Sequence, residues 1–343
     1  MAPSGRPARP GPSGQSGKAA PGQAGTDAPR KRHRLRWTLV VVALVLVLLL
    51  AWPIGLVVWA NGKLNRTEAL SGAAGTPGTT YLITGSDSRA DGGVKDDGTA
   101  GERSDTILLL HVPESGPTAL VSLPRDTYVD IPGHGDGKIN AAYAYGGAPL
   151  LVETVEGLTG LTVDHYAEIG MAGVKDIVDA VGGVRLCYDT DVNDRDSHLK
   201  WKAGCHTVDG TVALQFARMR KADPLGDIGR AQRQRQLVGA VLENVDPKSI
   251  AVRPAQQVAL IDAATASLTV DESAGIIDLA RLALAFRSAN GSDGITGTPP
   301  IADLDYRPGG VGSTVLLDPE ETPHFFEQIR DGELPPGKVN GLD

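Results

Sequence analysis

The 343-residue chain predicts a layered α/β/α domain around a mixed sheet, preceded by one transmembrane helix. Three observations predict it. Residues 37–60 run 24 positions without a charge. Beyond them, short β-rich apolar runs recur at buried-strand length. Between those runs lie segments whose apolar residues follow helical spacing, and such alternation builds layered α/β domains.

Residues 1–36 carry eight Lys and Arg against Asp27 alone, a charge of +7, which leaves −15 on the rest of a chain whose total is −8. The first thirty residues are rich in Pro, Gly, Ser and Ala, bury nothing, and predict a disordered basic tail. Trp37 and Trp59 are 22 steps apart, about 33 Å of helix, which matches a hydrocarbon core of about 30 Å with one indole at each headgroup level. The charge step places the tail 1–36 in the cytoplasm and the rest outside. The run is longer than the apolar stretch of a cleaved signal peptide, so an uncleaved single-pass anchor at 37–60 is expected. Residues 61–78 read as a membrane-proximal stem, 79–332 as the globular extracellular domain and 333–343 as a free tail.

Within the domain, 80–84, 106–112, 118–123, 184–188 and 314–317 predict strands. Residues 138–159, 171–181, 230–242 and 274–286 predict helices, the second of them closed by Gly182-Gly183. Residues 213–220 read as a strand or extended segment, and 91–101, rich in Gly and Asp, as a mobile loop.

The composition excludes several functions. A domain of charge −15 lacks the basic field that a nucleic-acid binder needs, and 4% aromatic residues leave little for stacking bases. The histidines, His111, His134, His165, His198 and His206 among them, show no zinc spacing. Cys187 and Cys205, 18 apart and outside the membrane, favour one disulfide worth about 3 kcal/mol in the loop-entropy model; two free buried thiols are the alternative.

Charged residues gather at strand ends. Gly85-Ser86-Asp87-Ser88-Arg89 follows one strand, Arg103-Ser104-Asp105-Thr106 precedes another, and Pro124-Arg125-Asp126 ends a third. Arg218 and Arg220, two apart on an extended segment, point to one side. Arg230, Arg233 and Gln234 share a helix face. Guanidinium groups brought together repel one another and call for an anion, and their planar forks suit a pyrophosphate. Asp87 and Asp105 supply carboxylates of the kind that hold Mg²⁺ against phosphate oxygens. Taken one at a time, each cluster reads as surface ion pairs ahead of a catalytic set.

Together the clusters carry a resemblance. TGSDSR, GERSDTILLLHV, LVSLPRDTYVDIPG, KINAAYAYGG, VDHYAEIG, IVDAVGGVRL, VDGTVALQFARMR and DIGRAQRQRQLV, in this order, resemble the LytR-CpsA-Psr family, the cell-wall glycopolymer ligases of Gram-positive bacteria. The resemblance implies transfer of a glycopolymer from a polyprenyl-pyrophosphate carrier to a muramyl hydroxyl of peptidoglycan. It implies a phosphodiester product, polyprenyl phosphate as the leaving group, and Mg²⁺ or Mn²⁺ as cofactor. It puts the metal on Asp87 and Asp105, and pyrophosphate on Arg89, Arg103, Arg125, Arg218, Arg220, Arg230 and Gln234. Arg103, Arg125, Arg220 and Asp105 are then the catalytic set. Asp126 is the one candidate base that the motifs offer, and 138–159, with Leu150, Leu151, Val155 and Leu158, a candidate wall for a lipid groove. A pyrophosphate hydrolase, a passive lipid-carrier binder and a non-enzymatic envelope regulator are the competing readings.

Overall fold

The computed structural model describes residues 30–86, 104–219, 222–223, 226–244 and 253–340. The loop expected at 91–101 lies outside them. Helix α1 spans Arg30–Lys63, and its Arg36–Lys63 portion is long and apolar enough to cross a membrane. Its 28 residues rise about 42 Å. Leu48 and its apolar neighbours stand exposed instead of packing into a core, as lipid-facing side chains do. The chain divides at Pro53 into two compact units, and the folded domain belongs to the second, Ile54–Asp343.

An eight-stranded mixed sheet forms the centre of that domain. Its order is β1 (Asn65–Thr67), β12 (Leu268–Asp271), β7 (His165–Gly170), β2 (Thr79–Ser86), β3 (Ser104–Val112), β4 (Ala119–Leu123), β13 (Ile295–Gly297) and β16 (Gly337–Val339). The three middle strands are antiparallel, whereas β2 runs parallel to β7 and β4 parallel to β13. Side-chain alternation gives the sheet two buried faces. Leu82, Leu109, Val121 and Tyr166 pack under Leu151, Val152 and Val155 of α2 (Ile139–Thr159) and Phe325, Phe326 and Ile329 of α8 (Glu321–Asp331). Their neighbours Tyr81, Ile83, Leu108, Leu110 and Leu120 pack against Phe286 of α7 (Ile276–Ala289) and Val238 and Leu242 of α5 (Gly226–Asn244). Helices on both faces complete the expected α/β/α layering.

Leu151 and Val155, expected as one wall of a lipid groove, are fully buried in the sheet core. A third cluster joins α3 (Met171–Ala180), β8 (Val184–Tyr188), β11 (Gly204–Val208) and α4 (Gly210–Arg218) around Trp201 and Phe216. Cys187 and Cys205 face each other across the β8–β11 pair, with Cα atoms 4.0 Å apart, and are joined by a disulfide.

Two expectations differ from the structure. The region 213–220 is not extended: α4 occupies Gly210–Arg218. The Asp209 carboxylate caps this helix by accepting the Val212 N–H at 2.9 Å, and Ala213, Phe216 and Ala217 bury one face at helical spacing. Arg218 therefore closes a helix, and the argument that it shares one side of a strand with Arg220 fails. The tail expected to be free from 333 onward is not, since β16 at Gly337–Val339 forms the outer strand beside β13. The stem 61–78 itself gives β1 to the sheet and buries Leu64 and Ala69.

Candidate functional site

Four strands deliver their ends to one edge of the sheet. Gly85 of β2 pairs with Thr106 of β3, Ile107 with Leu123 at the end of β4, and Ser86 with Gly170 at the end of β7. A register irregularity separates the Gly85 pair from the Ser86–Ser104 pair, and Asp105 lies in β3 at that irregularity. Asp87 follows Ser86 directly in sequence. Register thus brings one carboxylate-bearing position, Asp105, to the strand end beside Ser86, the last described residue of β2. Oxygen donors of this kind, one or two with phosphate completing the shell, are what Mg²⁺ takes.

The segment after β4 is a locked turn. The Thr127 N–H and hydroxyl both donate to the Pro124 carbonyl, at 2.9 and 2.7 Å, and the Arg125 carbonyl accepts the Asn140 N–H at the start of α2. Arg125 is thereby fixed where the sheet edge meets α2, and it is largely buried. Its Nε lies 3.5 Å from Asp126 Oδ2, and Lys138 Nζ donates to Asp126 Oδ1 at 2.9 Å. Lys138, at the end of β6 (Gly135–Lys138), received no role from its motif, and the structure places it beside Arg125. Asp126 is engaged by two cations here, which is the environment of a paired anion more than that of a base.

From the opposite face, the Thr106 hydroxyl donates to Gln234 Oε1 on α5. Gln234 and Arg125 therefore flank the same strand ends from the two sides of the sheet. Arg230 stands one turn earlier on α5, half-buried. Arg233 does something else. It is 4% exposed, its Nε donates to the Phe216 carbonyl at 3.1 Å, and its terminal nitrogens hold the Met219 carbonyl and the Asp223 carboxylate. Burial pulls its guanidinium down to about 10. Arg233 is thus compensated by Asp223 and does not call for an external anion. It fastens the end of α4, where Arg218 sits, to α5. A Cβ on Gly229 would collide with the Asp223 carboxylate, so this close approach requires glycine there. Arg235 has a buried Nε without a hydrogen-bond partner, and desolvation lowers its pKa.

Beneath the strand ends, on the α2 face, the Tyr143 and Tyr166 hydroxyls each donate to Glu168 Oε2 at 2.9 Å, and Tyr166 Oη lies 2.8 Å from Thr84 Oγ1. Burial foremost, then the Glu168 charge, push the Tyr166 hydroxyl well above its ordinary value. Neither glutamate nor tyrosines carried a motif signal of their own. Of the expected site residues, Asp87, Arg89, Arg103 and Arg220 lie outside the described residues, as does the Asp105 side chain.

Fold and site define a class: an α/β domain behind an apolar helix, with cationic and amide side chains at the strand ends suited to an anionic ligand. The match to known proteins is specific. The LytR_cpsA_psr family model covers residues 59–296, and the chain belongs to that family. It is 40% identical over 336 residues to the probable cell wall biosynthesis protein LcpB of Corynebacterium glutamicum, covering 94% of this chain and 79% of that one. It is 38% identical over 215 residues to the polyisoprenyl-teichoic acid–peptidoglycan teichoic acid transferase TagU of Enterococcus faecalis, covering 62% of this chain and 67% of that one. The crystal structure of B. subtilis TagT matches with a TM-score of 0.57 at 26% identity, over 78% of this chain and 98% of that one.

Proposed function

We propose that this chain transfers a glycopolymer from a polyprenyl-pyrophosphate carrier to peptidoglycan. A muramyl C6 hydroxyl attacks the phosphorus next to the sugar, a new P–O bond forms, and the bond to the bridging oxygen breaks. Polyprenyl phosphate leaves with that oxygen, and a phosphodiester remains. The observation that carries this reading is the placement of Arg125, with Lys138 beside it, and Gln234 around one set of strand ends. Phosphoryl transfers of this kind need charge stabilisation and alignment more than covalent help. Arg125 supplies a forked donor held by the turn 124–127. Gln234, held by Thr106, supplies a neutral amide. Arg89, Arg103, Arg218, Arg220 and Arg230 are assigned to the same pyrophosphate through their motifs.

Asp87 and Asp105 are the residues that would hold Mg²⁺ or Mn²⁺, which when bound would offset phosphate charge. The name of the Enterococcus relative supports the substrate class, a polyisoprenyl-linked glycopolymer and peptidoglycan. The +7 tail before α1 supports a cytoplasmic N-terminus and a catalytic domain on the wall side.

The test is attachment of polymer to isolated wall by the full-length chain. Wild type attaches it and Arg125→Ala does not, at an unchanged melting temperature. A folded Arg125→Ala chain with normal transfer would overturn the assignment.

A further inference from the structure

Tyr145 and His134 stack against each other on the outside of the domain. Their ring centroids are 4.7 Å apart and their planes 17° from parallel. Tyr145 is 58% exposed; among the described residues beyond α1, the other large hydrophobic side chains standing as open are Ile277, Leu284 and Leu304. His134 is exposed as well.

The backbone explains why this ring faces outward. Tyr143 turns inward to Glu168, and two residues of helix rotate the next side chain by about 200°. Immediately after Tyr145, α2 breaks: Gly146 and Gly147 leave helical geometry, and Gly147 adopts φ 66°. Tyr145 thus stands at the shoulder of a kink. His134 comes from the turn between β5 (Tyr128–Ile131) and β6, where its N–H donates to the Ile131 carbonyl at 2.9 Å. From His134, β6 leads in four residues to Lys138, about 13 Å at extended rise. The stacked pair is therefore one short strand away from the cation beside Arg125.

An exposed, rigidly held ring offers apolar area to any ligand that covers its face. With one face against His134, the exposure of Tyr145 falls on its other face and its edge. A pyranose ring suits that surface. Its axial C–H groups make an apolar face, and its hydroxyls stay hydrated around the rim. No charged side chain is needed for such a contact.

We propose that Tyr145, braced by His134, is a stacking platform for a pyranose of the glycan engaged at the phosphate site. This subsite rests on the transferase reading and extends it to a sugar contact at the far end of β6 from Lys138. The same pyranose chemistry occurs in the transferred polymer and in the acceptor strand, and the two are separated by experiment.

Transfer by the full-length chain is measured with lipid-linked polymer extracted from native membranes and with polymer-stripped peptidoglycan, each varied in turn. Binding of the chain to the stripped peptidoglycan is measured in parallel by sedimentation. Tyr145→Ala raises one KM about five- to tenfold with kcat within twofold, Tyr145→Phe behaves as wild type, and His134→Ala falls between. The KM that rises identifies the source of the sugar. A loss of peptidoglycan binding in Tyr145→Ala supports the platform even if the wild-type chain shows no turnover, an outcome that overturns the transferase reading alone. Tyr145→Gln serves as the second variant should the alanine variant melt early. Unchanged KM values and unchanged binding in the folded variants overturn the platform.

Discussion

Lys138 Nζ and Asp126 Oδ1 meet at 2.9 Å, and Arg125 Nε stands 3.5 Å from the other Asp126 oxygen. One carboxylate thus shares two cations, and the trio keeps a net positive charge. Asp126→Asn removes the internal competitor for Lys138 and Arg125. The variant is expected to bind inorganic pyrophosphate several-fold more tightly by calorimetry and to keep measurable transfer. A kcat loss of about 100-fold or more in a folded Asp126→Asn chain would instead make this residue the general base.

Arg125 is fixed through its carbonyl and the turn around it, and its Nε stands 3.5 Å from the part-exposed Asp126 carboxylate. Arg125→Ala is therefore expected to lower kcat by about 100-fold or more, the cost of losing one preorganised donor to a transition-state charge. The melting temperature should stay within a few degrees, which thermal denaturation checks.

Two arginines two residues apart on α5 have opposite consequences. Arg233→Met removes the cation that pairs with the Asp223 carboxylate, 8% exposed, and should destabilise the chain by about 3–5 kcal/mol. Arg235→Met removes a cation whose buried Nε has no partner, and should leave stability unchanged or raise it. Urea denaturation of both variants tests the contrast.

At the opposite end of the sheet, His165 Nδ1 lies 3.3 Å from Asp271 Oδ2. Burial opposes ionisation of Asp271, but hydrogen bonds from His165, Ser273 and the Tyr166 N–H outweigh it and hold the carboxyl at about 2. Its stabilisation is present above the unfolded value near 4. About 2 kcal/mol is lost as pH falls through the folded value. The hydrogen bond to Asp271 raises His165, so its share is complete below about pH 6.5 and disappears as pH rises through the raised folded value. His165→Asn should flatten the upper window of a stability–pH curve and leave Asp271 with fewer donors in the acid window.

The Cys187–Cys205 bridge closes an 18-residue separation. Its reduction, or a paired Cys187→Ser and Cys205→Ser change, should cost about 3 kcal/mol in the loop-entropy model. Melting with and without reductant reads this directly.

Much of the architecture was legible because apolar runs announce buried strands whatever their partners. β2, β3 and β4 are read from 80–84, 106–112 and 118–123 for that reason. α4 was not, since Ala213 to Arg218 is short and the signal lay upstream, in the Asp209 cap. β1 and β16, three residues each, carry too little pattern to be seen before their partners are known. At the site, Arg125 and Gln234 were legible from motif spacing. Lys138 and Arg233 were not separable by type: only burial and the position of Asp223 show that Arg233 braces the fold, whereas Lys138 pairs with Asp126, the carboxylate that Arg125 also approaches. Glu168 draws its two phenol donors from α2 and β7, a meeting that no linear spacing encodes.

The seating of β16 against β13 carries an implication for biogenesis. The central sheet cannot finish its outer ladder until residue 339 has been synthesised, so any chain cut short of that strand leaves the amides and carbonyls along β13 unpaired on that side. Such an open border templates association with other polypeptides. Expression formats that trim the C-terminus therefore invite aggregation, even though every motif of the phosphate site lies far upstream.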